Sequence, residues 1–411
     1  MESDSPRSGS ERSCPEGEYP GKGVAGTQDE DLMLRAVELA RRGQGKTAPN
    51  PCVGALLLGD GEILGRGWHE APGREHAEVM ALNHALEAGH DPRGASLYVT
   101  LEPCNHYGST PPCSRAILDA GIERVYVGVA DPNPWAEGGG ARFLRANGVH
   151  VEMGVAEQAC RDLIDDFVCW QLEGRPYVRL KLAATLDGRI ATGSGDSAWV
   201  SCREARKEVH GFREVCQAVL VGGNTLYEDN PRLTPRTEEG RELAEPCRIA
   251  AVIVTSRLPE PDAELYLLQN RPRETIIWTA PDQARGEAAE GLRSRGVRVW
   301  SLEELPGGGL DLAAGLKRLY REDSCYELLC EGGGRLAMSL CEQGLADEIV
   351  YFLAPRILGD EKGRSAFSGR SVDAMQQALA YRIVDYRRIG RDLRITLRPP
   401  RSEGSSSFRG V

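Results

Sequence analysis

The chain has 411 residues and a formal net charge of −11, with 41% hydrophobic and 27% charged residues. This composition is typical of a soluble globular protein with two or three domains. No apolar run reaches about 18 residues, so a membrane-spanning helix is not expected, and the acidic balance argues against binding to a polynucleotide backbone. The 12 cysteines lack the spacing of a disulfide framework and no signal-peptide pattern is seen, which favours a reducing cytoplasm.

The first part of the chain predicts a disordered tail followed by an α/β unit. Residues 1–29 are rich in Ser, Gly, Glu and Pro and poor in apolar side chains, as in disordered segments. Across residues 30–174, which we predict to form the first domain, strand-like and helix-like stretches alternate. Strands are predicted at Val53–Leu58, Glu62–Trp68, Ala95–Thr100, Val125–Val129 and Val149–Met153, and helices at His76–Ala88, Ser114–Ala120 and Ala141–Ala146. The alternation predicts a mostly parallel sheet covered by helices on both faces.

A second alternating unit is predicted for residues 175–398. A linking helix at Arg161–Trp170 leads to Gly174-Arg175-Pro176, which is typical of a domain boundary. Strands are predicted at Tyr177–Ala184, Ala218–Val221, Ile249–Val254, Thr275–Trp278, Val297–Trp300, Glu327–Cys330 and Glu348–Leu353. Residues 399–411 predict a second disordered tail.

One stretch of the first unit carries the residue types of an open zinc site. His76 begins a predicted helix, Cys104 follows a predicted strand, and Cys113 precedes the next helix. One imidazole and two thiolates leave the fourth position of a tetrahedral zinc to water, whose pKa zinc lowers to about 7. Glu78 need not be a ligand and can carry protons between this water and a departing amine. The pattern therefore predicts hydrolytic removal of an amino group from an aromatic ring carbon.

The spacing of the two cysteines departs from the usual P-C-x-x-C of such deaminases, because eight residues separate Cys104 from Cys113. The intervening segment must loop out and return Cys113 to the site. Gly108 and Pro111-Pro112 suit a loop of this kind.

A glycine run in the second unit is compatible with binding of a phosphate. Gly332-Gly333-Gly334 lies between a predicted strand and a predicted helix. Glycines let the backbone approach a phosphate and the helix N-terminus favours its negative charge, although a plain tight turn would use the same residues. No G-x-G-x-x-G is present within residues 175–398, which suits a nicotinamide site outside the Rossmann fold.

Many motifs in one order point to a known family. The first half contains PNPCVGA, HAEVMAL, YVTLEPC, TPPC and DPNP, and the second contains KLAATLDGRIA, GDSAWVS, LVGGNTLYEDNPRLTPR and EGGGRLAMSL. With these motifs, Asp31–Pro399 closely resembles the bifunctional deaminase–reductases of riboflavin biosynthesis. The resemblance implies an α/β protein with a cytidine-deaminase-like α/β/α domain and a dihydrofolate-reductase-like α/β domain.

The resemblance also implies two consecutive reactions and their cofactors. First, 2,5-diamino-6-(5-phosphoribosylamino)pyrimidin-4(3H)-one loses its ring amine in a zinc-dependent hydrolysis. The ribosyl group is then reduced by NADPH, which gives 5-amino-6-(5-phosphoribitylamino)uracil. We accordingly expect a small phosphorylated aminopyrimidine as substrate, no nucleic-acid or membrane partner, a cytoplasmic location and a homo-oligomer, either a dimer or a tetramer.

Site residues are implied position by position. His76, Cys104 and Cys113 match the zinc ligands, and Glu78 matches the proton carrier. Positions that contact NADPH match Ala183, Trp199, Thr225, Asp229 and Ser256, together with the diphosphate loop of Gly333, Gly334, Arg335, Leu336, Ala337, Met338 and Ser339. Positions that contact the substrate match Ser197, Arg213, Leu233, Arg236 and Glu331. Without the resemblance, Arg213 and Arg236 would be interpreted as surface charges and Trp199 as a core residue.

Two positions depart from the family pattern. Ser109 replaces the Arg or Lys that commonly precedes TPPC. The strand end Thr255-Ser256-Arg257 replaces the usual Asp-Ser, and these three residues are the candidates to receive the 2′-phosphate that distinguishes NADPH from NADH.

Two other interpretations remain open from the sequence. A deaminase of tRNA or another polynucleotide would share the zinc site, but it predicts a basic groove and has no use for residues 175–399. A non-catalytic scaffold with one inactive domain predicts a lost ligand or a lost cofactor loop, and neither loss is seen.

Overall fold

The structure is a computed structural model that describes residues 27–107, 111–133, 139–236 and 249–400. None of the helices within these ranges has the length and apolar composition needed to cross a bilayer. Most of the predicted N-terminal tail, Ser109 and nearly all of the C-terminal tail lie outside the described residues.

The described part of the first unit contains five strands and six helices. The strands are β1 Gly54–Gly59, β2 Glu62–Trp68, β3 Ser96–Leu101, β4 Arg124–Val129 and β5 His150–Met153, and the helices are α1 Gln28–Ala40, α2 Ala77–Glu87, α3 Cys113–Asp119, α4 Gly140–Ala146, α5 Glu157–Leu163 and α6 Asp165–Val168. Thr27 and Glu30 form a capping box at the start of α1. Order therefore begins before Asp31, because this cap satisfies the first free backbone N–H groups.

The sheet of the first unit is mostly parallel, as predicted, with β2, β3, β4 and β5 running in one direction and β1 in the other. The strand order is β2-β1-β3-β4-β5, with β1 antiparallel to both neighbours and β3, β4 and β5 parallel. The tight turn between β1 and β2 forces antiparallel pairing. As a result β2 and β3 run in the same direction, and their carboxyl ends lie at the same edge of the sheet.

Helices cover both faces of this sheet, as predicted. Successive β1 side chains point to opposite sides, so Leu57 belongs to a core under α2 and Leu56 to a core under α1. Helix α2 lies so close to β2 that a Cβ at Gly67 would overlap the carbonyl oxygen of Ala77. Glycine at this position brings the start of α2 against the sheet.

The linking segment is not the single helix that was predicted for Arg161–Trp170. Helix α5 ends at Leu163, α6 follows, and a π-helical turn spans Cys169–Glu173. Ile164 interrupts the helix with a φ of −113°. The apolar periodicity continues through this break, which is why the sequence did not reveal it.

In the second unit, residues 175–236 and 249–400 form eleven strands and seven helices. The strands are β6 Tyr177–Thr185, β7 Arg189–Ala191, β8 Ala218–Gly222, β9 Ala250–Val254, β10 Thr275–Thr279, β11 Arg298–Ser301, β12 Glu327–Cys330, β13 Glu348–Ala354, β14 Arg364–Ser365, β15 Arg382–Ile389 and β16 Asp392–Arg398. The helices are α7 Arg203–Val215, α8 Gly223–Asp229, α9 Tyr266–Asn270, α10 Pro281–Ala284, α11 Glu287–Ser294, α12 Leu312–Asp323 and α13 Gly334–Glu342. Short 3₁₀ turns lie at Arg41–Gly43, Pro272–Glu274 and Met375–Gln377.

Nine of these strands form one sheet in the order β11-β10-β9-β8-β12-β6-β13-β16-β15, and β7 pairs with β14. The seven strands from β11 to β13 are parallel to one another, and β16 pairs in the antiparallel direction with both β13 and β15. Alternate residues along β8 belong to two cores, with Leu220 on one face and Val221 on the other. The predicted α/β class is therefore confirmed.

The hairpin of β15 and β16 was not predicted. Most side chains of β15 are exposed, and Asp385, Arg387 and Arg388 interrupt any apolar alternation. An edge strand of this kind has little hydrophobic signal, because only β16 pairs with it.

The two units pack against each other through the linking segment. The indole of Trp170 donates a hydrogen bond of 2.7 Å to the carbonyl oxygen of Tyr326, and the two rings lie edge to face. Arg398 donates to Asp165 at 2.8 Å. The predicted boundary at residue 174 lies between this contact region and β6, and its exact position stays a prediction.

Candidate functional site

Three side chains of the first unit meet at one edge of the sheet. The Nδ1 atom of His76 lies 3.2 Å from the sulfur of Cys113 and 3.6 Å from the sulfur of Cys104. One ligand atom from each of the three residues lies within 4.8 Å of the other two. The fold brings together the three residues proposed as ligands from the sequence.

Local backbone geometry explains this convergence. His76 is the N-cap of α2, Cys104 follows β3, and Cys113 is the first residue of α3. The loop between the cysteines closes because the backbone N–H of Cys113 donates to the sulfur of Cys104 at 3.3 Å and that of Ser114 donates to the carbonyl oxygen of Cys104 at 3.1 Å. The longer spacing is thus accommodated without separating the thiols.

The donor set fits a zinc ion. Hydrogen bonds from Cys113 and His76 lower the pKa of the Cys104 thiol well below its usual value, which favours the thiolate form that binds metal ions. One imidazole and two sulfurs match the protein ligands of catalytic zinc sites, which leave one position open.

Glu78 lies beside this cluster in the first turn of α2 and is only 4% exposed. Burial, reinforced by the charge on Cys104, raises the pKa of the Glu78 carboxyl to about 7. A carboxyl with such a pKa can both accept and release a proton at neutral pH.

Two further residues support the cluster and were not assigned from the sequence. His69 is 3% exposed, and its ring lies 5.5 Å from that of His76. Its Nδ1 donates to the carbonyl oxygen of Glu75 at 3.0 Å, and its Nε2 accepts from Asn50 at 3.1 Å. Burial lowers the pKa of His69, which favours this neutral tautomer. Asn50 lies in the PNPCVGA motif, which was the available signal.

A second cluster lies at the carboxyl edge of the large sheet. Arg213 on α7 makes a bidentate ion pair with Glu331, which directly follows β12, at 2.5 and 2.9 Å. Its third nitrogen donates to the carbonyl oxygen of Thr234 at 3.0 Å. Both charged side chains are almost buried, so the interpretation of Arg213 as a surface charge is wrong.

Three more residues lie near this pair. Lys181 on β6 is close because β6 and β12 are neighbours, and burial lowers the pKa of its ammonium. His210 was not predicted. Burial is the main cause that lowers the pKa of its imidazole, and the positive charges of Arg213 and Arg236 lower this pKa further. Leu233 is 2% exposed and adopts a φ of +55°.

The residues assigned to the cofactor lie along the same edge of the sheet. Gly333 is the N-cap of α13, and a Cβ at Gly334 would overlap the carbonyl oxygen of Ser365. The first turns of α13 supply the rest of the proposed diphosphate loop, Arg335, Leu336, Ala337, Met338 and Ser339. Thr225 and Asp229 lie on α8, Ser256 follows β9, and Ala183 lies on β6. Strands β9, β8, β12 and β6 are parallel neighbours, so these segments share the edge where open sheets place ligands.

Ser197 and Trp199 lie in an exposed stretch before α7. Trp199 is 65% exposed with a φ of +63°, so its interpretation as a core residue is wrong. The guanidinium of Arg206 lies 4.2 Å from its ring, and Arg356 donates to its carbonyl oxygen at 3.2 Å. These contacts hold an aromatic face toward solvent.

Comparison with known proteins accounts for both clusters. Residues 26–129 match the model of the cytidine and deoxycytidylate deaminase zinc-binding region, and residues 176–395 match the RibD C-terminal domain. The chain is 40% identical over 369 residues to the riboflavin biosynthesis protein RibD of Aquifex aeolicus, which covers 89% of this chain and 97% of the relative. The chain belongs to the RibD family.

Other RibD proteins give the same result in sequence and in structure. RibD of Escherichia coli is 36% identical over 371 residues, which cover 89% of this chain and 98% of that protein. A solved RibD structure from Acinetobacter baumannii superposes with a TM-score of 0.70 at 34% identity, covering 91% of this chain and 99% of that one. A Thermotoga maritima structure, described as a diaminohydroxyphosphoribosylaminopyrimidine deaminase/5-amino-6-(5-phosphoribosylamino)uracil reductase, gives 0.72 at 34% identity, covering 90% and 99%.

Membership of the RibD family confirms the predicted activity. The chain is a bifunctional deaminase and reductase of riboflavin biosynthesis that acts on a small-molecule substrate. Zinc in the deaminase domain and NADPH in the reductase domain are the cofactors of such a protein. The interpretation as a scaffold with one inactive domain is therefore set aside.

Proposed function

We propose that the deaminase domain converts 2,5-diamino-6-(5-phosphoribosylamino)pyrimidin-4(3H)-one to the corresponding uracil, and that the reductase domain then reduces the ribosyl group to ribityl. The main support is the pair of reactions in the description of the Thermotoga relative, combined with the His76–Cys104–Cys113 cluster. The net charge of −11 supports a small substrate rather than a nucleic acid, and the absence of disulfides among the described cysteines supports a cytoplasmic location.

The deaminase step assigns the proton transfers to Glu78. Held by His76, Cys104 and Cys113, zinc would supply a Lewis acid that activates a water molecule as nucleophile. Glu78 takes a proton from that water as it adds to the ring carbon, and delivers it to the amine, which leaves as ammonia. The raised pKa of this carboxyl suits both transfers.

The reductase step assigns binding and orientation to the second cluster. NADPH would supply the hydride, and the protein binds the cofactor and the sugar and orients them toward each other. We assign the substrate to Arg213, Leu233, Arg236, Glu331 and Ser197. Arg236 is the candidate for the ribose phosphate, because a guanidinium makes charge-assisted hydrogen bonds with phosphate oxygens.

The adenosine 2′-phosphate of NADPH is assigned to Thr255, Ser256 and Arg257. The guanidinium of Arg257 lies 4.6 Å from the ring of Tyr227, whose hydroxyl donates to the carbonyl oxygen of Arg257 at 2.9 Å. This arrangement supports the assignment, since it keeps a cation beyond the end of β9 and close to α8.

Self-association through the edge of the large sheet is also proposed, as a dimer or a tetramer. Strand β15 is an edge strand with Ile383 53% and Tyr386 72% exposed, and Met375 nearby in the chain is 87% exposed. An edge strand with apolar side chains favours pairing with a second copy. Light scattering on the wild type and on Ile383→Lys/Tyr386→Lys tests this. We expect the double variant to have the molar mass of a monomer, and an unchanged molar mass would contradict the proposal.

One experiment tests the substrate assignment for both domains. The purified protein is incubated with the diaminopyrimidine phosphate, with and without NADPH, and the products are measured by mass. We expect the deaminated ribosyl compound without NADPH and the ribityl compound with it. Recovery of unchanged starting material in both reactions would refute the assignment.

A further inference from the structure

A buried arginine links the two sides of the segment that carries Leu233 and Arg236. Arg271, directly after α9, is 9% exposed. Its Nη1 donates to the carbonyl oxygen of Arg232 at 2.7 Å, and its Nη2 donates to the carbonyl oxygen of Ile249. One side chain therefore ties the carbonyl oxygen of Arg232 to that of Ile249, directly before β9.

Arg271 is itself firmly held. Its carbonyl oxygen accepts from the buried hydroxyl of Thr275 at 2.8 Å, and its N–H donates to the carbonyl oxygen of Leu267 at 3.1 Å. Helix α9 also contacts the chain two residues before Arg232, because the N–H of Tyr266 donates to the side chain of Asn230 at 2.7 Å. The guanidinium of Arg232 lies over the Tyr266 ring at 4.9 Å.

The residues after Arg232 connect this anchor to the reductase cluster. Leu233 is buried in a left-handed conformation, which is costly for a non-glycine residue and persists only when its surroundings impose it. The next carbonyl oxygen, that of Thr234, accepts from Arg213, which is paired with Glu331. Two arginines therefore hold the segment, Arg271 from the side of α9 and Arg213 from the side of the site.

We propose that Arg271 is a positioning residue for the reductase substrate: its fork to Arg232 and Ile249 sets the conformation of Leu233–Arg236. The proposal rests on the assignment of this segment to the substrate. A planar guanidinium can serve two carbonyls at once, whereas an ammonium on a flexible stem is a point donor that does not reproduce this fork. Loss of the fork loosens the segment before substrate binds, so binding must then order it.

The test compares Arg271→Lys with wild type in steady-state reduction. We expect the KM for the ribosyl substrate to rise roughly tenfold, which is the effect of losing one charged hydrogen bond. The kcat and the KM for NADPH should be unchanged. Deamination should be unchanged too. Arg273→Lys is the matched control, because Arg273 is exposed in the turn that follows and should behave as wild type.

A milder variant covers the case in which Arg271→Lys does not fold. Thr275→Val removes the hydroxyl that donates to the Arg271 carbonyl oxygen and should raise the same KM by a smaller factor. Hydrogen exchange of residues 230–236 should be faster in either variant than in wild type.

Three results would overturn the proposal. The first is an unchanged substrate KM in folded Arg271→Lys. The second is an equal rise in the KM values for substrate and NADPH, which would indicate general loss of packing. The third concerns Arg236→Ala: if its substrate KM equals that of wild type, the segment does not bind substrate and the underlying assignment fails as well. A raised KM in Arg236→Ala with no effect of Arg271→Lys refutes the positioning role alone.

Discussion

The two clusters are assembled over very different distances along the chain. The proposed zinc ligands His76 and Cys113 are 37 positions apart, and each lies at the start of a helix. Arg213 and Glu331 are 118 positions apart and meet because helix α7 packs against β12, the strand that Glu331 directly follows. The first cluster depends on local turns and the second on the topology of a whole domain. Damage to one should therefore leave the other intact.

The largest expected effect is loss of the metal site. In Cys104→Ser/Cys113→Ser, neutral hydroxyls replace two sulfur ligands and zinc binding should be lost, because zinc prefers thiolate. Deamination should become undetectable while reduction of pre-made deaminated substrate continues. Metal analysis and the two separate assays measure this. Cys52→Ser is the control, since its hydroxyl can still donate to the carbonyl oxygen of Ala40; stoichiometric zinc in the double variant would contradict the ligand assignment.

The next effect isolates proton transfer within the same cluster. Glu78→Gln keeps the shape of the side chain but cannot accept and deliver a proton, so deamination should fall by ~10²–10⁴-fold or more. Zinc content and the reductase activity should equal those of wild type. Wild-type deamination rates in this variant would remove Glu78 from the mechanism.

A change in the second cluster should give the reverse pattern. Arg213→Lys keeps the charge but loses the bidentate pair with Glu331 and the bond to Thr234, so kcat/KM for reduction should fall roughly tenfold to hundredfold. Deamination should not change. Arg203→Lys, at the exposed start of the same helix, is the control. Equal losses in both activities would mean that the two sites are not independent.

The smallest effect concerns the choice of cofactor. Arg257 is exposed, so its contact with the 2′-phosphate is partly screened by solvent, and Arg257→Ala should raise the KM for NADPH roughly tenfold. The KM for NADH should stay nearly the same, because NADH lacks that phosphate. A parallel rise for both cofactors would assign Arg257 to another role.

This contrast also explains what the sequence could predict. His76, Glu78 and the two cysteines form a local pattern whose chemistry is readable without a fold. Glu331, by contrast, was assigned by resemblance alone, because nothing near it in the sequence reveals that Arg213 will reach it. His210 and His69 had no pattern of their own, and their roles emerge only from burial and neighbours.

The fold shows the same division. Apolar strands such as β12 were predicted with their observed bounds, since continuous burial leaves a strong hydrophobic signal. The β15–β16 hairpin and the break at Ile164 were missed, because neither changes the pattern of apolar residues. The antiparallel β1 is a consequence of the turn that follows it, and turn geometry rather than hydrophobicity decides strand direction.

The contact between Trp170 and Tyr326 bears on attempts to divide this enzyme into its halves. The carbonyl oxygen of Tyr326 accepts from the Trp170 indole at 2.7 Å and from the N–H of Tyr177, the first residue of β6, at 2.8 Å. A fragment that stops before β6 would expose a large aromatic ring and leave the indole N–H to water. The second half expressed alone would expose Tyr177 and Tyr326. Each half is thus part of the folding environment of the other, and their fusion in one chain contributes to stability as well as to co-production of the two activities.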